Sequence, residues 1–225
     1  MKIEGTKEFV SLLKAIPTHE ARLVIKDGKI KFSSMSADNT RAFIFQQRVD
    51  TQEELDVCFL TKSILSKLKS LKGVKSFDLK IENNLLVIDV EKARSKSKIM
   101  VDLLHETTYE DVPPNLLDYK PTIRVVLDTQ YLKDEVANMP SQVVIEVVEN
   151  KLILRDDPHR TRYVSELETE VVGMGKSMFG TEFLQEALKI CGEQVELYFT
   201  DGGVMKMYSD GEYEATIYLA NRNDE

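Results

Sequence analysis

The sequence predicts an α+β fold made of two copies of one unit, each running strand, helix, four strands, helix, three strands. A shift of 123 places lays residues 3–30 on a second set of landmarks: Ile3 falls on Val126, Thr6 on Thr129, Phe9 on Leu132, Pro17 on Pro140 and Ile30 on Ile153. A shift of 119 then carries Ile64, Leu65, Leu68 and Gly73 onto Phe183, Leu184, Ala187 and Gly192, so one loop has lost four residues between matching elements. Between the copies lies an acidic stretch with three prolines, ETTYEDVPPNLLDYKP, suited to an extended linker rather than a helix or central strand. The expected organisation is therefore a first domain at 1–105, a connecting segment at 106–121 and a second domain at 122–225.

The first copy opens with the short strand MKIEG. Helix TKEFVSLLKAI follows, with Phe9, Leu12, Leu13 and Ile16 on one face, Thr6 as candidate N-cap and Pro17 as the stop. ARLVIKDGKIKFSSM reads as a hairpin turning on Asp27-Gly28, a pair that accepts the left-handed backbone of a tight turn. RAFIFQQR and LDVCFL are strands. Helix TKSILSKLKSLKG is capped by Thr61 and closed by Gly73, and strands SFDLKIEN, LLVIDVEK and KSKIMVDLL end the unit. The second copy repeats the series: TIRVVLD, helix TQYLKDEVANM, hairpin VVIEVVENKLILRD turning on Glu149-Asn150, strands YVSELETEV and GKSMFG, helix TEFLQEALKICG, and strands QVELYFT, VMKMYS and EATIYLA.

Composition narrows the class. No apolar run approaches the ~18 residues of a membrane span, and MKIEGTKEF lacks an apolar signal core, so an intracellular protein is expected. Cys58 and Cys191 sit in apolar stretches and read as reduced core thiols. The net charge of −8 is unevenly spread: residues 1–120 carry 20 basic and 18 acidic side chains, residues 121–225 carry 10 and 20. An anionic partner is accordingly met by the first half.

Enzyme signals are absent. There is no Gly-rich phosphate loop, no cysteine pairing at metal spacing and no nucleophile elbow. His19, His105 and His159 fall in polar loop contexts. Asp156-Asp157 and the series Glu166, Glu168, Glu170 could hold a hard cation, but period-two alternation puts those glutamates on one solvated strand face. The reading assigns no catalytic residue, no metal ligand and no cofactor. One helix stands apart. Beside its buried stripe, TKSILSKLKSLKG places Lys62, Lys67, Lys69 and Lys72 among serines and contains no acid, in a chain with an acidic excess. Lysine supplies charge without base-edge geometry, which suits mobile, sequence-independent contact with phosphates. Lys7, Lys14 and Lys133 are secondary candidates for the same contact.

The order of elements, the duplication and several local sequences resemble the sliding clamps of the proliferating cell nuclear antigen family, archaeal and eukaryotic. LTKSILSKLK is similar to the family's inner-helix segment, SSMSADNTRAFIF to the segment after its first hairpin, YLANRNDE to its C-terminal ending, and the linker to its interdomain connecting loop. The resemblance implies a duplicated DNA-clamp fold with helices lining a central hole and sheets outside, three chains closing head to tail as a ring. It implies a DNA polymerase processivity factor that encircles double-stranded DNA without reading its sequence, and that tethers polymerase, clamp loader and other replication and repair proteins carrying an interacting peptide. Its setting would be the cytoplasm or nucleoid of an archaeon, a nucleus or a virus-infected cell. By the same likeness, Lys98, Met100, Lys176 and Met178 lie on edge strands that pair between protomers. The peptide groove takes Met35, Pro114, Leu116, Leu117, Tyr119, Tyr218, Leu219 and Ala220. Ser36, Asn221 and Gly203 depart from the family pattern, and the last two are expected to loosen the groove wall. The alternatives are a subunit of a heterotrimeric replicative or checkpoint clamp and, from another class, a catalytic nucleic-acid enzyme on a duplicated α+β scaffold, which would need a metal or nucleophile cluster.

Overall fold

The computed structural model describes residues 2–4, 6–67, 71, 74–92, 95–105, 109, 111–156 and 163–222, with backbone alone at 4 and 6–8. The chain divides into two compact units, residues 1–39 with 43–112, and residues 40–42 with 113–225.

The first unit comprises β1 (Lys2–Glu4), α1 (Thr6–Ala15), β2 (Glu20–Lys26), β3 (Lys29–Met35), most of β4 (Arg41–Arg48), β5 (Leu55–Leu60), α2 (Thr61–Leu65), β6 (Ser76–Glu82), β7 (Leu85–Lys92) and β8 (Ser95–Leu104). Its strands run β1-β6-β7-β8-β5-β2-β3-β4. The apolar stripe of α1 explains its docking: the Phe9 ring lies 5.7 Å from Phe32 on β3 and 4.9 Å from Phe77 on β6, so one side chain ties two sheet segments to one helix. Burying rings of this size stabilises by roughly 2–3 kcal/mol each.

The second unit comprises α3 (Pro114–Leu117), β9 (Ile123–Asp128), α4 (Thr129–Ala137), β10 (Gln142–Val148), β11 (Lys151–Arg155), β12 (Val164–Leu167), β13 (Glu170–Val172), β14 (Gly175–Gly180), α5 (Thr181–Leu188), β15 (Gln194–Phe199), β16 (Met205–Ser209) and β17 (Glu214–Leu219). One sheet runs β17-β16-β15-β9-β13 and another β12-β11-β10-β14. Leu132, Val136, Leu184, Ala187 and Leu188 supply the fully buried faces of α4 and α5. The duplication is visible in the pairing: β1 pairs β6 as β9 pairs β15, and β2 takes β3 and β5 as β10 takes β11 and β14. Asp27-Gly28, Asn83-Asn84 and Glu149-Asn150 all adopt positive φ at both central residues, the tight turn that suits twisted hairpins.

Four expectations need correction. The linker is not wholly extended, because proline at a first helical position forfeits no bond and Pro114 opens the short turn α3. YVSELETEV is not one strand. It breaks after Leu167, so that β12 pairs β11 while β13 pairs β9, and the Thr169 hydroxyl donates to the Val126 carbonyl at the break. Thr61 is not the N-cap of α2; Leu60 is, and Thr61 opens the helix with its hydroxyl donating to the Thr18 carbonyl at 2.6 Å. The described helix ends at Leu65, where the amide of Lys67 bonds Ile64 at 2.8 Å; Leu68, Lys69, Ser70, Lys72 and Gly73 lie outside the described residues.

Candidate nucleic-acid interface and assembly edges

Helix α2 is positioned by its buried residues, Thr61 and Ile64, which leave Lys62 and Lys67 exposed. The Lys62 ammonium has no partner among the described residues. Lys67 has one: its Nζ donates to the Met100 carbonyl on β8 at 2.6 Å. Lys14 is exposed in the last turn of α1, where a cation also complements the helix dipole. The side chain of Lys7, like Lys69 and Lys72, lies outside the described residues. Lys133 on α4 is half-buried beside Cys191, whose thiol burial pushes up to about 12 against the opposing pull of that lysine. Neither cysteine is in a disulfide; Cys58 is buried and Cys191 partly so. The helices of the second unit contrast with α2: Asp134 and Glu182 are exposed, and Glu186 is held by Arg41, whose guanidinium also lies 4.4 Å above the Phe183 ring.

The connecting segment is fastened at both ends, to different units. On the first unit, the Tyr109 hydroxyl donates to the Ser33 carbonyl at 2.7 Å, and Asp111 takes an Arg22 guanidinium that also grips Asp56 at 2.7 Å. Burial pushes the Tyr109 phenol far above its usual range. On the second unit, the Tyr119 hydroxyl donates to the Val204 carbonyl at 2.7 Å. Between these anchors Pro114 and Leu117 are exposed and Leu116 is half-buried. Tyr218 and Leu219 are buried in β17, and Ala220 follows with its amide on the Thr40 carbonyl. Met35 ends β3 in the first unit, half-buried.

The sheet edges are settled by hydrogen-bond alternation. In an antiparallel pair, successive residues point their N–H and C=O alternately toward and away from the partner. The Leu103 amide bonds Asn84 across the β7–β8 register, so Lys96, Lys98, Met100 and Asp102 direct theirs away from β7. β5 reaches β8 only at Leu103 and Leu104, which leaves this edge open from Ser95 to Asp102 among the described residues, apart from Lys67 on the Met100 carbonyl. The same reasoning makes Val164 and Glu166 the outward residues of β12, since the Asp156 amide bonds Tyr163. Val164 is 53% exposed.

β14 is different, and the expectation that Lys176 and Met178 offer a free edge is corrected here. Both do point outward from β10, but every backbone group they present is taken. Lys176 N–H donates to Asp201 Oδ1, Gly202 N–H donates to the Lys176 carbonyl, Met178 N–H donates to Asn221 Oδ1 and Arg222 N–H donates to the Met178 carbonyl, each at 2.8 Å. The repeat explains the closure. At the offset of 119, Met178 and Arg222 stand where Phe59 and Leu103 pair in the first unit, so β14 is the counterpart of an interior strand. Asn221, far from loosening this corner, spans it: its carbonyl receives Met178 while its amide donates to Gly202 at 3.0 Å. Gly203 is equally constrained, because a Cβ there would meet Thr200 Oγ1 at 2.1 Å.

No family model and no curated protein matches the sequence. Solved structures do. The PCNA2–PCNA3 complex from Sulfolobus tokodaii aligns over 98% of this chain and 98% of that one at 16% identity, TM-score 0.75. PCNA from A. fulgidus, bound to the C-terminal region of FEN-1, aligns over 100% and 98% at 16% identity, TM-score 0.76. A putative DNA polymerase III beta subunit from Eubacterium rectale aligns over 100% of this chain and 65% of that one at 14% identity, TM-score 0.81. The fold is that of the sliding clamps.

Within this clamp fold, sequence reasoning missed the edge formed by β12. Its glutamate alternation reads only as a solvated face, and the break that makes Val164–Leu167 a short terminal strand has no strong marker: neither glycine nor proline lies between Leu167 and Glu170. Among the described residues, no group of three His, Cys, Asp or Glu side chains is placed to hold a metal ion, and no helix is long and apolar enough to cross a membrane. His19 and His105 lie exposed in loops, while Asp156 is buried and accepts the Tyr163 amide at 3.0 Å; Asp157 and His159 lie outside the described residues.

Proposed function

We propose that this chain is the protomer of a sliding clamp: three copies close head to tail around duplex DNA, slide on it and tether polymerase and other DNA-processing proteins. The observation that carries the reading is a clamp fold in which β8 of the first unit and β12 of the second leave outward backbone groups without a paired strand among the described residues, with opposite charge on the two. β8 presents Lys96 and Lys98 beside the half-exposed Met100; β12 presents Glu166 beside the exposed Val164, with Glu168 and Glu170 following. Antiparallel addition of one edge to the other gives a heterologous contact that repeats from copy to copy, and closure leaves neither of these two edges exposed. Lys62, Lys67 and Lys14, with Lys69, Lys72, Lys7 and Lys133, then face phosphates, and the ring raises the local concentration of whatever it carries. No bond is made or broken. A partner peptide would lodge an aliphatic or aromatic plug against Leu116 and Leu117, a reading supported by the solved neighbour that is bound to the C-terminal region of FEN-1.

Light scattering after size exclusion tests the ring directly, with an expected mass near three times 25.7 kDa. Duplex binding should be independent of sequence and steeply salt-dependent. Replacing Lys62 and Lys14 with alanine should flatten the plot of log affinity against log salt by about one unit per lysine while the ring stays assembled. A stable monomer at every concentration would sink the homomeric ring. An unchanged salt slope would remove the lysines from the DNA path.

A further inference from the structure

The contact between Lys67 and Met100 links two parts of the molecule that the proposed function uses separately, the lysine helix and the open edge. Lys67 stands just past the described end of α2, and its Nζ ends 2.6 Å from the Met100 carbonyl. That carbonyl is one of the outward groups of β8, as the alternation from Leu103 and Asn84 requires. An ammonium is a strong donor, and an exposed edge carbonyl is otherwise left to water. Lysine at an open edge is also a physical device against unwanted strand pairing. Lys62 projects from the same helix with no partner among the described residues, so it reports how an unengaged lysine behaves nearby.

We infer that Lys67 is a displaceable cap, occupying the Met100 carbonyl of the β8 edge in the free protomer and released to face phosphate when another strand pairs with that edge. This rests on the reading of β8 as an assembly edge. An added strand lies about 4.8 Å from β8 and brings its own N–H to the Met100 carbonyl, so the space and the acceptor used by the lysine are both claimed. Ring closure therefore adds a cation to the lysine track at the moment a duplex is enclosed. An unassembled protomer keeps that cation engaged, and its β8 edge is shielded from indiscriminate pairing.

The test is amine labelling of the full chain, read by mass spectrometry, with Lys62 as the internal reference. In dilute protomer Lys67 should label more slowly than Lys62, and the ratio should rise roughly two- to fivefold in the assembled ring, the scale of a solvent-exposed charged contact. Lys67→Ala should assemble at a concentration lower by a similar factor, since the competing cap is gone, with circular dichroism confirming the fold. A ring that forms with an unchanged labelling ratio overturns the cap and leaves the clamp reading standing. Lys67→Ala that assembles no more readily than the original chain overturns it too. A chain that light scattering finds monomeric throughout overturns the clamp reading and the release together.

Discussion

β8 and β14 invite comparison because the family resemblance makes both of them assembly edges, and they differ in a way that periodicity does not encode. Each directs alternate backbone groups away from its sheet partner. On β14 those groups meet Asp201, Gly202, Asn221 and Arg222, all from the same unit. On β8, from Lys96 to Asp102, they meet a single lysine among the described residues. Whether a strand is an edge is thus decided by what the chain does 43 residues later, where the end of β17 leads Asn221 and Arg222 back across Met178. The closed side uses a side-chain amide that both accepts and donates, which a proline at that position could not do.

Proline scanning separates the two edges most sharply and should give the largest effects. Met178→Pro removes an N–H that is bonded within the protomer and strands the Asn221 acceptor. Loss of roughly 1–3 kcal/mol of unfolding free energy is expected in urea titration. Met100→Pro removes only an outward N–H at the open edge, so the protomer should keep its stability while light scattering shows that assembly is lost. Two variants of equal stability that both assemble would erase the distinction between the strands.

The seal itself can be dissected at Asn221. Asn221→Ala deletes the acceptor for Met178 and the donor to Gly202, each net bond contributing about 1 kcal/mol. Asn221→Asp keeps the acceptor and loses the donor, so about half the destabilisation is expected. Identical midpoints for all three proteins would show that water replaces the amide without cost.

Much of this molecule is legible in its sequence. The offset landmarks Pro17 and Pro140, the paired turns at Asp27-Gly28 and Glu149-Asn150, and the apolar stripes of Phe9, Leu12 and Leu13 declare elements whose burial matches their spacing. What stayed hidden depends on tertiary closure. Tyr109 and Tyr119 look alike in the linker, yet they hold opposite units through hydroxyl bonds to Ser33 and Val204. Lys67 looks like any lysine of its helix, and only the register of β8 shows that a carbonyl awaits it. Asn221 shows as a departure from a family pattern, and only the structure shows that the departure supplies two bonds.

Acid provides the mildest probe of the open edge. Glu82 at the end of β6 accepts from Lys80 at 2.8 Å and from Lys98 of β8 at 2.7 Å, and these two donors hold its carboxyl down to about 2, from an ordinary value of 4.5. A carboxyl depressed in the folded state contributes stability that is fully present above its unfolded value and is lost as pH falls through the folded one. The window is therefore between about 4.5 and 2, and neutral pH lies on the plateau. The group is exposed and screened, so its effect on global stability is small, and its effect on the edge is the more useful readout. Protonation detaches Lys98 from Glu82 and leaves that lysine untethered along β8, whereas the Asn221 amide across β14 has no proton to gain in this range. Hydrogen exchange compared at about pH 5 and about pH 2, corrected for the intrinsic rate, should show weaker protection around β8 at the lower pH and a smaller change at Met178. Glu82→Gln should reproduce the acid state of β8 at the higher pH. Equal loss at both edges, or a Glu82→Gln protein indistinguishable from the original at that pH, would mean that this carboxylate does not organise the open side.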